Sequence, residues 1–239
     1  MKIFVTGDSH TAALKTGVDM LISQGDVPQD YQIDVQQLGG GISMTTPFFI
    51  DRGDFAEMTH EKHLRRIKRL PFADEQQHYD YYGICGPLHA TRIWRNKDYW
   101  QNYTPFTPEA GQAPVSASLL RHVVVEEQHY TMQLLELLKR VGVKVFVIEA
   151  PKPYKHHPVL ELVNQDIIAY VDEFYRKVMR EWLASKDVPV IDVPGACYDA
   201  DGFMHEAYRH DNPADGYHAN KQFGAVMIGE IIGFAKSAS

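Results

Sequence analysis

Four short runs rich in β-branched and aromatic residues, Lys2–Thr6, Ile33–Leu38, Lys144–Glu149 and Pro189–Val193, are each closed by Gly, Pro or Asp. The segments between and after them switch to apolar residues at three- and four-residue spacing. Nothing else in the chain constrains its fold as much. A short continuous apolar run bounded by turn residues reads as a strand buried on both faces. Such strands alternating with amphipathic helices build a mostly parallel sheet with helices on either side. The expected class is α/β, a three-layer α/β/α sandwich.

Long helices are expected at Ser116–Val141, with Gly142 as its C-terminal cap, at Asn164–Ser185 and at Asn220–Lys236. Residues 42–115 break the rhythm. They hold a helix pattern around Glu57–Arg69, a Tyr-rich strand pattern at Tyr79–Gly83, and the stretch WRNKDYWQNYTPFTPEAGQAP. A stretch of that kind belongs to an insertion or a long binding loop on the scaffold. The chain reads as a single domain over 1–239, with an insertion or long loops within about 42–115.

Of the 239 residues 44% are hydrophobic, enough for a sizeable core, and 23% are charged, an ordinary share for a globular chain. A net charge of −7 argues against a general binder of phosphate backbones, so no nucleic-acid partner is expected. The basic stretch HEKHLRRIKRL is the local exception and reads as a solvated helix face. Cys85 and Cys197 make no disulfide framework and read as reduced thiols. The N-terminus shows no basic stretch followed by an apolar signal core, and no run approaches the ~20 apolar residues of a membrane span. A cytoplasmic chain is the expectation.

The chemistry gathers at the two ends. KIFVTGDSHTAALKTG delivers Gly7, Asp8, Ser9 and His10 to the turn between the first strand and a helix. In open parallel sheets ligands bind outside the carboxyl ends of the strands, and a helix start offers free N–H groups and a favourable dipole to an oxyanion. Ser9 at such a turn is either a helix cap or a nucleophile awaiting an imidazole to take its proton. DNPADGYHANKQFGAVMIG sets Asp215 three residues before His218, in a loop leading into the last helix. A carboxylate so placed fixes the tautomer of the imidazole and turns its other nitrogen outward.

With both blocks in view, the chain resembles the SGNH (GDSL-like) hydrolases. Gly7-Asp8-Ser9 matches the first block, with His10 where many members carry leucine, and Asp215-Gly216-Tyr217-His218 matches the last. The resemblance implies an SGNH/flavodoxin-like sandwich, Ser9 as nucleophile, His218 as general base and Asp215 as its orienting partner. It implies a serine esterase or acyl hydrolase with no metal and no organic cofactor. The second block, a glycine whose amide joins the oxyanion hole, aligns with Gly41 in QQLGGGIS, with Gly40 as the near alternative. The third block, G-x-N-D, meets YYGICGPLHA, where Cys85 stands at the asparagine. A thiol is a weak donor, which leaves Cys85 as a poor substitute, His89 reaching in instead, or a buried cysteine beside a strand end.

Twelve histidines raise the question of a metal. His60 and His63 share a helical spacing, but neither HEKH nor KHHP matches a zinc signature, so no metal site is expected. His10 and His205 are candidates for lining the site, without an assigned role. Trp94, Tyr99, Trp100 and Tyr103 suggest a flat platform for a sugar ring, against the commoner reading that they pack the insertion onto the core. An O-acylated carbohydrate is the first-choice substrate. An acyltransferase with the same triad and a catalytically impaired carbohydrate-binding protein are the rival readings.

Overall fold

The computed structural model describes residues 1–74 and 78–238, apart from the side chains of Lys62 and His63; His63, one of the paired histidines noted above, falls outside what is described. Strands β1 (Lys2–Gly7), β2 (Gln32–Gln37), β3 (Tyr81–Cys85), β4 (Val145–Ile148) and β5 (Val190–Ile191) form one sheet in the order β5-β4-β3-β1-β2, and every pairing in it is parallel. The long helices are α1 (Thr11–Gln24), α2 (Ala117–Arg140), α3 (Gln165–Ser185) and α4 (Lys221–Ser237). Ser116, Asn164 and Asn220 cap α2, α3 and α4 by accepting backbone N–H bonds, as short polar side chains do at a helix start.

Alternation along the strands sorts the core into two layers. Ile3, Val5, Ile33, Val35, Phe146 and Ile148 pack with α1 and α4, whereas Phe4, Tyr82, Ile84, Val145 and Val147 pack with α2 and α3. Successive strand side chains point to opposite faces, so one run of apolar residues serves both layers. On the first face two helices meet backbone to backbone. A Cβ on Gly224 of α4 would stand 1.8 Å from the Ala13 carbonyl oxygen of α1, and one on Gly17 would stand 2.3 Å from the Gly224 carbonyl carbon. This crossing holds the two ends of the chain together.

Residues 42–115 depart from the expected helix around Glu57–Arg69. Phe49–Asp51, Ala56–Met58 and Arg69–Leu70 make a small antiparallel sheet, and one helical turn, Glu61–Leu64, remains. Arg65, Lys68 and Arg69, at helical spacings of three and four, would stack like charges along one face. Pro71 also disfavours a helical Leu70. Extended chain instead buries Ile67 and Leu70 in the core. The Tyr-rich strand starts and ends two residues later than expected, which makes Cys85 a residue of the sheet. No helix among the described residues is long and apolar enough to cross a membrane.

Candidate functional site

β1 ends in Gly7 at φ +137°, where a Cβ would lie 2.0 Å from the Cys85 carbonyl oxygen, so only glycine lets the chain turn against β3. The turn is then tied down locally. Asp8 Oδ1 accepts the His10 N–H at 3.0 Å, and the Asp8 carbonyl accepts both the amide and the hydroxyl of Thr11. The Gly7 carbonyl also accepts the amides of Leu38 and Gly39, which straps the glycine loop after β2 beside Ser9.

From the other end of the chain, the loop before α4 reaches Ser9. Asp215 Oδ1 accepts the backbone N–H of His218 at 3.0 Å and of Tyr217 at 3.2 Å. Asp215 Oδ2 lies 2.7 Å from His218 Nδ1, and His218 Nε2 lies 2.8 Å from Ser9 Oγ. Burial alone would raise the Asp215 carboxyl, but these bonds from His218 outweigh it and hold it below its ordinary range. An ionised carboxylate only accepts, so Nδ1 carries the proton and Nε2 is left to accept from the serine hydroxyl. Hydroxyl, imidazole and carboxylate in this order are the groups that raise a serine's nucleophilicity. Asn220, which sequence reasoning passed over, fixes the loop by donating to the Ala207 carbonyl at 2.8 Å while capping α4. A cavity of about 360 Å³ opens here, lined among others by Ser9, His10, Gln37, His210, His218 and Lys221.

The oxyanion candidates separate. The amides of Ser9 and Gly41 donate to no acceptor among the described residues. The partly exposed Gly40 gives its carbonyl to the amide and hydroxyl of Ser43. Cys85 is buried in the layer between the sheet and α1/α4, and burial pushes its thiol pKa well up. His89 has both ring nitrogens engaged: Nδ1 lies 2.5 Å from Asp8 Oδ2 and Nε2 lies 2.9 Å from His10 Nε2. His205 is exposed and does not line the cavity, whereas His10 does.

Asp8, His89 and His10 thus form a second carboxylate–imidazole chain, buried throughout. Burial would raise Asp8, yet His89 and His10 more than offset it and hold the carboxyl far below its usual range. Burial lowers the pKa of both His10 and His89. Asp8 and His10 sit at opposite nitrogens of the His89 ring, so the three make a hydrogen-bonded relay, with one ligand atom of each within 4.8 Å of the others. Arg92, also unmarked in the sequence reading, lies against Gly41: its Nη1 is 2.1 Å from where a Gly41 Cβ would stand. Its Nε donates to Glu127 of α2. Its place on the short helix Thr91–Trp94, directly after the third-block segment, is the signal available in the chain.

The aromatic stretch divides. Trp94 and Trp100 are buried, the latter donating Nε1–H to the Ile93 carbonyl at 2.8 Å, so they pack the core. Tyr99 and Tyr103 remain 56% and 40% exposed, with ring centroids 5.3 Å apart.

No family model matches the chain, and no curated protein matches it in sequence. Solved structures do match in fold. A GDSL-like lipase from Bacteroides thetaiotaomicron aligns with a TM-score of 0.50 at 11% identity, over 100% of this chain and 89% of the lipase. An acetyl xylan esterase aligns with a TM-score of 0.50 at 13% identity, over 98% of this chain and 99% of the esterase. A carbohydrate acetylesterase family member from Sinorhizobium meliloti gives 0.50 at 12% identity, over 99% and 98%. The fold is SGNH hydrolase-like.

Proposed function

We propose that this chain is a serine esterase, hydrolysing carboxylic esters through Ser9, His218 and Asp215. The observation that carries the reading is the unbroken chain from Asp215 Oδ2 through His218 to Ser9 Oγ, 2.7 Å and 2.8 Å long, joining residues 209 positions apart. Ser9 Oγ attacks the ester carbonyl while its proton passes to His218 Nε2, and the carbonyl electron pair moves onto oxygen. The amides of Ser9 and Gly41 receive that oxyanion. Collapse expels the alcohol, which takes the proton from His218, and leaves an acyl-serine. Water then adds by the same route in reverse roles, its proton going to His218, and the acid leaves with Ser9 restored. No step needs a metal or an organic cofactor.

An O-acylated carbohydrate is the substrate class best supported. The cavity beside Ser9 is rimmed by His210, Asp211, Asn220 and Lys221, groups suited to hydroxyls, and two fold neighbours are named for esters of that kind. The test is turnover of p-nitrophenyl acetate and of acetylated xylan by wild type and Ser9→Ala, with and without a free sugar acceptor. Ester hydrolysis lost in Ser9→Ala at unchanged thermal stability supports the reading. Turnover retained in Ser9→Ala refutes it, and acyl transfer to the sugar in place of release to water would make the chain a transferase.

A further inference from the structure

We infer that Arg92 replaces the missing third-block asparagine, its guanidinium donating to the oxyanion that forms at Ser9; this deepens the esterase reading and rests on it. The fold has a vacancy to fill. The residue aligned with the asparagine, Cys85, is buried against α1 and α4 and offers only a weakly donating thiol, and His89 is occupied at both nitrogens. Beyond His89 the side chains able to donate in that segment are the buried Thr91 and Arg92, both on the short helix Thr91–Trp94, and of the two it is Arg92 that lies against Gly41.

Its placement is specific. Nη1 lies 2.1 Å and Cζ 3.3 Å from the Cβ position of Gly41. With a carbon–carbon bond of about 1.5 Å, Nη1 stands within about 3.6 Å of the Gly41 Cα. That proximity leaves room for one oxygen, accepting the unpartnered Gly41 amide at about 2.9 Å, to take a second hydrogen bond from the guanidinium. The glycine is therefore needed twice, once for its amide and once because any side chain there would occupy the arginine's place.

The guanidinium is also prepared for the task. Nε is spent on Glu127, which fixes the plane of the fork, while Nη1 and Nη2 make no hydrogen bond among the described residues. The side chain is 9% exposed, so its charge acts in a site with little water to screen it. Burial disfavours the charge, but Tyr175, Glu127 and Asp8 outweigh that and keep Arg92 protonated. A fixed cation is stronger than an amide donor toward an oxyanion, which is negative, and gains less from a neutral ester carbonyl. That difference is the condition for catalysis rather than mere binding.

The experiment compares wild type, Ser9→Ala, Arg92→Met and Arg92→Lys on p-nitrophenyl acetate, with melting temperatures for each and with ethylguanidinium added to each. Loss of an oxyanion donor predicts a fall in kcat of about 100- to 1000-fold in Arg92→Met, with KM within a few fold, and partial recovery of kcat on adding ethylguanidinium. Arg92→Lys keeps the charge and a partner for Glu127, so it should fold even where the methionine variant does not, and should still lose at least about tenfold in kcat because it lacks the fork. Full kcat in Arg92→Met or Arg92→Lys, while Ser9→Ala is inactive, overturns the assignment and leaves the esterase reading standing. A change in KM alone likewise overturns it, since that is uniform substrate binding. Wild-type protein without Ser9-dependent turnover removes both.

Discussion

Replacing Gly224 with alanine should lower stability and turnover together. The new methyl group would sit 1.8 Å from the Ala13 carbonyl oxygen, on backbone that no rotamer change can move aside. A carbon–oxygen contact relaxes at about 3.3 Å, so α4 and α1 must part by roughly 1.5 Å. Overpacking of this kind costs up to about 3 kcal/mol, and the better helix propensity of alanine offsets about 1 kcal/mol of it. A net loss of about 2 kcal/mol corresponds to a fall in Tm of about 4–8 °C for a chain of this size. The same separation acts on the site. Ser9 lies just before α1 and His218 just before α4, so their 2.8 Å contact is set by how closely those helices approach. A displacement of about 1 Å in a catalytic pair lowers kcat by about 100-fold. Gly233→Ala is the control: it lies exposed on the same helix with nothing near its Cβ position, and should raise Tm slightly without touching kcat. Calorimetry and ester turnover on the two variants decide the matter. Wild-type Tm in Gly224→Ala would refute the contact as limiting, and a lowered Tm with unchanged kcat would refute its link to Ser9 and His218.

Stability should fall as pH drops from about 6.5 toward 4, because burial lowers the pKa of His10, of His89 and, to about 4, of His157. The unfolded chain then binds protons that the folded chain refuses, so stability is full above about 6.5 and lost below it. His157 alone gives about 2 kcal/mol by pH 5. Asp8 and Asp215 have lowered values and act in the other window, their contribution being lost only below about pH 4. Urea midpoints that stay flat between pH 7.5 and 5 would contradict this. Trp100→Ala should cost about 3–5 kcal/mol, as a buried indole with a hydrogen bond, whereas Tyr99→Ala and Tyr103→Ala should stay within about 0.5 kcal/mol. Equal losses in all three would mean that the exposed tyrosines are also core.

The parts of this chain legible in sequence are those where chemistry or period dictates residue type. The strand runs, the three long helices and the two end blocks all follow from local pattern, and the structure joins Ser9, His218 and Asp215 by hydrogen bonds. What stayed hidden depends on approach in space. Gly17 and Gly224 look like weak points in helical patterns until the helices are laid across one another. The helix expected around Glu57–Arg69 dissolved because like charges at helical spacing outweighed its apolar positions. Arg92 stands seven residues beyond the aligned cysteine, on another element, and no residue-by-residue match to a motif reaches that far.

Two carboxylate–histidine chains lie side by side, and their surroundings separate what each can do. Asp215–His218–Ser9 and Asp8–His89–His10 pair the same groups, and the His10 and His218 rings are 5.0 Å apart. The Asp215 and His218 side chains are each 20% exposed, so water can help solvate an imidazolium formed when the serine gives up its proton. Asp8 and His89 are 1% and 4% exposed, and the Arg92 cation acts on both imidazoles of their chain against a second positive charge. A histidine whose pKa is lowered is a weaker base. The inner chain is therefore suited to hold His10, and through the turn Ser9, in a fixed position, while the outer one is free to move the proton.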